Sequence, residues 1–121
     1  MLDQGRGSVV MFSSLIARRG AMNSGAYAAT KGGVLGLMRA LALDHARAGI
    51  RANAISPGIA DTPMPRAVMD EDVLFGKGEA VPLGRIAMPA DIVDATMFLL
   101  GNESSFVTGQ DIRVNGGAGL F

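Results

Sequence analysis

Two kinds of apolar pattern run along the chain. Val9, Val10, Met11 and Phe12 form an unbroken apolar run behind the turn signal Gly5-Arg6-Gly7. A run without alternation suits a strand buried on both faces, as in a parallel sheet covered by helices, and it predicts a strand over 8–14. From Gly25 to Ala48 the period changes. Val34, Leu35, Met38, Leu41 and Ala42 recur at three- and four-residue steps, which predicts a long helix with Ser24 as its N-cap and Gly49 as its stop. A second strand, Ile50–Ser56, ends at Pro57-Gly58. Pro89 is placed at the first position of a helix running to Leu100, with Ile92, Val93, Thr96, Met97, Leu99 and Leu100 as its buried face and Asp91 in its first turn. Thr108-Gly109-Gln110 turns the chain into a third strand, Asp111–Val114, and NGGAGLF is its tail.

The stretches between these elements are punctuated rather than periodic. Residues 15–23 read as a loop. Residues 57–85 read as irregular, with Pro57, Pro63, Pro65 and Pro82 among four glycines and a weak helix at 66–75. A Pro/Gly stretch of that length is a functional lid or a disordered insert. Strand, helix, strand, lid, helix, strand argues for βαβ units. The fold class is therefore α/β, a doubly wound parallel sheet with helices on opposite faces, in one domain without internal repeats.

Composition narrows the function classes. A hydrophobic fraction of 49% and mean hydropathy of +0.31 exclude a disordered chain. Net charge is zero, which supports neither a nucleic-acid nor a membrane partner. The charge is uneven, however. Residues 1–60 carry seven Lys/Arg against two Asp/Glu, and residues 61–121 carry four against nine. Two mutually attracting solvated faces account for this; a positive half beside an anionic ligand is the sharper alternative. There is no cysteine, so disulfides and Cys-based metal sites are excluded, and a cytoplasmic location fits. No signal peptide is visible, and Arg39 interrupts the longest apolar region. The only histidine, His45, sits near a helix end without a ligand cluster, so no metal site is expected.

Candidate chemistry lies in residues 14–31. Tyr27 and Lys31 are four apart on the long helix and stack on one face. Ser14 arrives at the end of the first strand. A tyrosine has an ordinary pKa of about 10, and a neighbouring ammonium favours its phenolate. Such a tyrosine can exchange a proton with an alcohol or carbonyl oxygen, while a serine hydroxyl orients that oxygen. These groups suit proton transfer coupled to hydride transfer. Gly32, Gly33 and Gly36 each weaken a helix by up to about 1 kcal/mol; their clustering suggests close packing against the sheet or a second subunit.

The stretches GSVVMFSS, AYAATKGGVLGLMRALALDHARAGIRANAISPG, IADTPM, PLGRIAMPADIV and SSFVTGQDIRVNGG, in this order from about residue 5 to 117, resemble the C-terminal half of a short-chain dehydrogenase/reductase, in the 3-oxoacyl-carrier-protein-reductase-like branch. The resemblance implies a partial Rossmann-like sheet of three strands and flanking helices, as the C-terminal portion of a single domain. It implies NAD or NADP as cofactor, a ketone or secondary alcohol as substrate, and a homodimer or homotetramer. Ser14 matches the substrate-orienting serine, thirteen residues before the tyrosine. Tyr27 matches the acid/base, and Lys31 the residue that lowers the tyrosine pKa and bonds the ribose hydroxyls. Pro57-Gly58 matches the motif passing the nicotinamide. Ala60 and Thr62 match positions contacting the carboxamide, Thr62 alternatively a phosphate, and 63–85 matches the variable substrate loop.

The glycine-rich dinucleotide fingerprint of that family is not found behind a strand here, nor is its NNAG-type stretch or the residue choosing NAD over NADP. Gly116-Gly117-Ala118-Gly119 follows the last strand and is a tail, not a phosphate cradle. The expectation is that these 121 residues alone are a poor enzyme or none. The alternative to an oxidoreductase is an inactive remnant or an oligomerisation module. An unpaired apolar edge is expected on the first strand.

Overall fold

The first strand, β1 (Gly7–Phe12), is followed by a single helical turn, α1 (Ile16–Arg19), and by the long helix α2 (Gly25–His45). In the computed structural model, which describes residues 1–119, the chain continues through β2 (Ile50–Pro57), α3 (Pro63–Arg66), α4 (Glu71–Gly76), α5 (Pro89–Leu100) and β3 (Asp111–Val114). The three strands form one parallel sheet in the order β1-β2-β3. Gly7 lies opposite Ile50 and Phe12 opposite Ile55; Ala54 lies opposite Asp111 and Pro57 opposite Val114. The expected α/β fold is what the chain adopts. Among the described residues β1 pairs only with β2, so its outer edge is unpaired, as expected.

The period-two alternation of the strands places two helices on opposite faces. Leu35, Met38 and Ala42 of α2 pack on Ala52 and Ala54, with Val9 and Met11 beside them. The alternate residues face α5: Ser8 Oγ donates to the Leu99 carbonyl at 2.7 Å. The Arg51 guanidinium donates to the carbonyls of Leu99, Gly101 and Val107 at 3.0, 3.0 and 3.2 Å. Buried Asn53 donates to the Val107 carbonyl and accepts from Gln110 N–H, so the turn into β3 hangs from β2. Gly49 adopts φ 73° after α2 and its following 3₁₀ turn, and an added Cβ would run into the Gly5 carbonyl. That close approach needs glycine.

Several expectations are corrected. Residues 15–23 hold α1, a helix too short to show a period. Residues 57–85 are not irregular: α3, α4 and a 3₁₀ turn at Lys77–Ala80 occupy much of the stretch, anchored by fully buried Leu74. Ser24 stands at the N-cap position of α2, but its hydroxyl donates back to the Met22 carbonyl instead of capping the helix, because Asn23 turns through φ 57° just before it. Of the face predicted for α5 only Leu99 is buried. Ile92 and Thr96 are half-buried, and Val93, Met97 and Leu100 are exposed, since α5 presses on one layer only. Gly32, Gly33 and Gly36 do not pack on the sheet; an added Cβ at any of them would meet nothing within 4 Å. The tail turns over Asn115–Gly119, and the last two residues of NGGAGLF lie outside the described residues.

Candidate active site at the strand ends

Ser14 lies just past the C-terminal end of β1, and Pro57, Gly58, Ala60 and Thr62 at or past that of β2, where ligands bind in open α/β sheets; Tyr27 and Lys31 stand on α2. Two hydrogen bonds stitch β1 to α2 there. Ser13 Oγ donates to the Lys31 carbonyl at 2.8 Å, and Lys31 Nζ donates to the Phe12 carbonyl at 3.0 Å. Lys31 Nζ also stands 5.8 Å from the centroid of the Tyr27 ring, within cation–π reach. The helical spacing thus brings Tyr27 and Lys31 together as predicted. Tyr27 is 38% exposed, so its ring faces solvent on an open surface.

Ser14 is half-buried. Its Oγ accepts the Ile16 N–H at 3.2 Å, at the start of α1. A hydroxyl that spends a lone pair in this way keeps its own proton for donation. No hydrogen bond joins Ser14 to Tyr27 among the described residues.

The cofactor candidates sit beside this cluster. The Pro57 carbonyl accepts the Leu15 N–H at 3.1 Å, which locks the exit of β1 to the end of β2. Gly58 N–H donates to the Val114 carbonyl at 3.0 Å, and an added Cβ there would come within 3.0 Å of Asn115 Cα. Ala60 is buried and forms a backbone bridge with Ala87. Thr62 is half-buried at the N-cap position of α3, yet its hydroxyl does not cap that helix. These groups fit a nicotinamide nucleotide in chemistry: an ammonium and a phenol for ribose hydroxyls, and a close-packed backbone with a spare hydroxyl for an amide. No group of three or more metal-ligating side chains is present among the described residues.

Two clefts lie elsewhere. One of about 470 Å³ is lined by Ile59, Leu83, Arg85, Asp91, Arg113 and Asn115. Another, of about 660 Å³, lies at the opposite end of the sheet, between Arg6, Arg51 and Phe106. Neither contains Ser14, Tyr27 or Lys31. In the first, the Arg85 fork and the Met88 N–H donate to Asp91, holding its carboxyl well below the usual carboxylate range. At the entry to α3 the Arg66 guanidinium, hydrogen-bonded to Asp61, lowers the pKa of that carboxyl.

Sequence reasoning missed two contributors. The first is Ser13, the neighbour of Ser14 in the run GSVVMFSS, whose hydroxyl ties the strand to the helix. The second is a chain of contacts through the sheet. Arg18 Nε of α1 donates to Asp111 Oδ2 at 2.6 Å, and Ser56 Oγ donates to Asp111 Oδ1 at 2.6 Å. Arg18 and Asp111 are 93 residues apart, and no local pattern announces the pair. It is also the one ion pair among the described residues that joins the basic half to the acidic half.

A family described as Enoyl-(Acyl carrier protein) reductase matches residues 1–119. An acetoacetyl-CoA reductase of Synechocystis sp. is 43% identical, over 96% of this chain and 48% of that protein. The ligand-free aldohexose dehydrogenase of Thermoplasma acidophilum superposes with a TM-score of 0.92 at 32% identity, covering 100% of this chain and 51% of its own. A Beutenbergia cavernae protein described as an NAD(P)-dependent gluconate 5-dehydrogenase, solved with NADP bound, superposes with a TM-score of 0.90 at 38% identity, over 97% of this chain and 47% of its own. The chain belongs to the short-chain dehydrogenase/reductase family. It spans about half the length of the relatives it matches.

Proposed function

We propose that this chain is the C-terminal portion of a single Rossmann-like domain, with its substrate loop at about 57–85. It serves an oxidoreductase that moves a hydride between NAD or NADP and a ketone or secondary alcohol. The observation that carries the reading is the Lys31 ammonium, held on the Phe12 carbonyl and standing over the Tyr27 ring at the ends of β1 and β2. Tyr27 is the acid/base: it gives a proton to the carbonyl oxygen during reduction and takes it back during oxidation. Lys31, one helical turn from Tyr27, offers its remaining N–H groups to ribose hydroxyls. Ser14 donates its free O–H to the substrate oxygen and steadies charge developing there. Pro57, Gly58, Ala60 and Thr62 border the nicotinamide. The nucleotide, when bound, supplies or accepts the hydride.

In the enzyme that contains this chain, Tyr27→Phe is expected to abolish ketone reduction while NADPH still binds, measured by turnover and by nucleotide titration. Retained turnover refutes the acid/base assignment. For the 121 residues alone, isothermal titration with NADH and NADPH is expected to show no micromolar binding, because the pyrophosphate grip is assigned to residues outside them.

A second reading is an oligomerisation module without turnover. It is favoured by the open glycine face of α2, where Gly32, Gly33 and Gly36 leave room for a close-packed neighbour beside exposed Leu37. Sedimentation of the chain as a homodimer or homotetramer, lost on Gly36→Leu, supports it.

A further inference from the structure

Ser14 depends for its orientation on a very short element. Its Oγ is held by the N–H of Ile16, the first residue of α1, and α1 is four residues long. One turn of helix does not persist by itself, because nucleation fixes several residues for a single hydrogen bond. Beyond it residues 18–23 are exposed, with Gly20 at φ 70° and Asn23 at φ 57°. Upstream, α1 is tied by the Leu15 N–H to the Pro57 carbonyl and by the buried Leu15 side chain. Half-buried Ala17 packs on the core beneath α2, and on the far side the polar side-chain tie is Arg18, whose guanidinium meets Asp111 at 2.6 Å.

Asp111 is built to receive it. Its side chain is only 1% exposed, and its second oxygen accepts the Ser56 hydroxyl. A carboxylate removed from water needs a partner of opposite charge and a full set of donors. Arg18, half-exposed, supplies the charge, and Ser56 supplies the other donor. The three residues come from α1, from the end of β2 beside Pro57, and from the start of β3. They therefore join the segment that follows Ser14 to the strand end that carries the proposed nicotinamide residues.

We propose that Arg18, through buried Asp111, is a positioning residue that fixes α1 and thereby aims the Ser14 hydroxyl at the substrate oxygen. This rests on the Ser-Tyr-Lys reading of the site. Without the tie, α1 frays, the Ile16 N–H leaves Ser14, and the hydroxyl turns freely. Tyr27 and Lys31, held by α2 and the Phe12 carbonyl, keep their places.

Two measurements test this. Hydrogen exchange on the 121-residue chain is expected to accelerate at least about tenfold over residues 14–22 in Arg18→Met, with residues 89–100 unchanged. Asp111→Asn gives the same local pattern. Unchanged exchange over 14–22, or equal acceleration in both segments, overturns the tie. In the enzyme containing this chain, Arg18→Met is expected to lower kcat by about 10–100-fold, the scale of a misplaced reacting group. The KM for the nucleotide stays unchanged, Arg18→Lys recovers part of the loss, and Arg18→Met costs nothing further in a Ser14→Ala background. Additive losses in the double variant overturn the proposed route through Ser14. If Ser14→Ala alone keeps full turnover, the reading of the site fails instead, and the exchange result still decides whether Arg18 secures α1.

Discussion

Two connections leave the C-terminal end of the sheet, and they are secured by different means. The first, residues 13–24, crosses from β1 to α2 and buries only Ser13 and Leu15. It borrows its order from the sheet, through backbone bonds to Ile55 and Pro57 and through the Arg18–Asp111 pair. The second, residues 58–88, is more than twice as long and carries an interior of its own: Ala60, Leu74, Val81 and Ile86 are buried, and across its neck Asp61 N–H donates to the Ala87 carbonyl and Ala87 N–H to the Ile59 carbonyl. A short connection can be held at its ends. A long one needs apolar anchors along its length, because each ordered residue costs about 1–2 kcal/mol of backbone entropy.

The contrast can be broken most forcefully at Leu74. Truncating this fully buried side chain to alanine is expected to cost about 2–5 kcal/mol, read from denaturant midpoints, and to open residues 63–80 to proteases while residues 13–24 stay protected. Equal loss in both connections would show that they are not separately secured. A smaller effect is expected from Asn53→Ala, which strands the Gln110 N–H and leaves the Val107 carbonyl to Arg51 alone. About 1–3 kcal/mol should be lost, by the same measurement, without selective opening of either connection. The smallest effect is acidification. The carboxyls of Asp61 and Asp91 titrate lower folded than unfolded, chiefly through their hydrogen bonds to Arg66 and Arg85. Their contribution is therefore present above about pH 4, the unfolded carboxyl range, and is lost as pH falls through the folded values. Proteolysis within 58–88 should be flat from pH 8 to 5 and rise only below about pH 4. Both pairs lie at the surface with half-exposed arginines, so the rise should be modest.

The same contrast explains what could be seen in the sequence. The long helix, the three strands and the Pro89 start of α5 carry periods or caps several residues long, and each lies where the pattern put it. Tyr27 and Lys31 were legible because helical spacing alone brings them together. Of the helices of four to six residues only α4 was foreshadowed, as the weak helix at 66–75, since one turn cannot show a period of 3.6. The exposed Val93-Met97-Leu100 stripe was misjudged because apolar spacing marks a face without saying whether anything lies against it. Arg18 and Asp111 were invisible for another reason: a tie across 93 residues depends on the register of β3 against β2, which sequence spacing does not contain.

Arg51 has a consequence on a different scale. One guanidinium takes up three carbonyls, two at the end of α5 and one in the loop leading to β3, with no carboxylate partner among the described residues. The last turn of α5 therefore cannot come loose without stripping the donors from carbonyls that β2 itself holds. Helix ends usually fray first, but this one should open only together with the central strand. The C-terminal third of the chain and β2 would then form a single cooperative unit, lost and regained in one step.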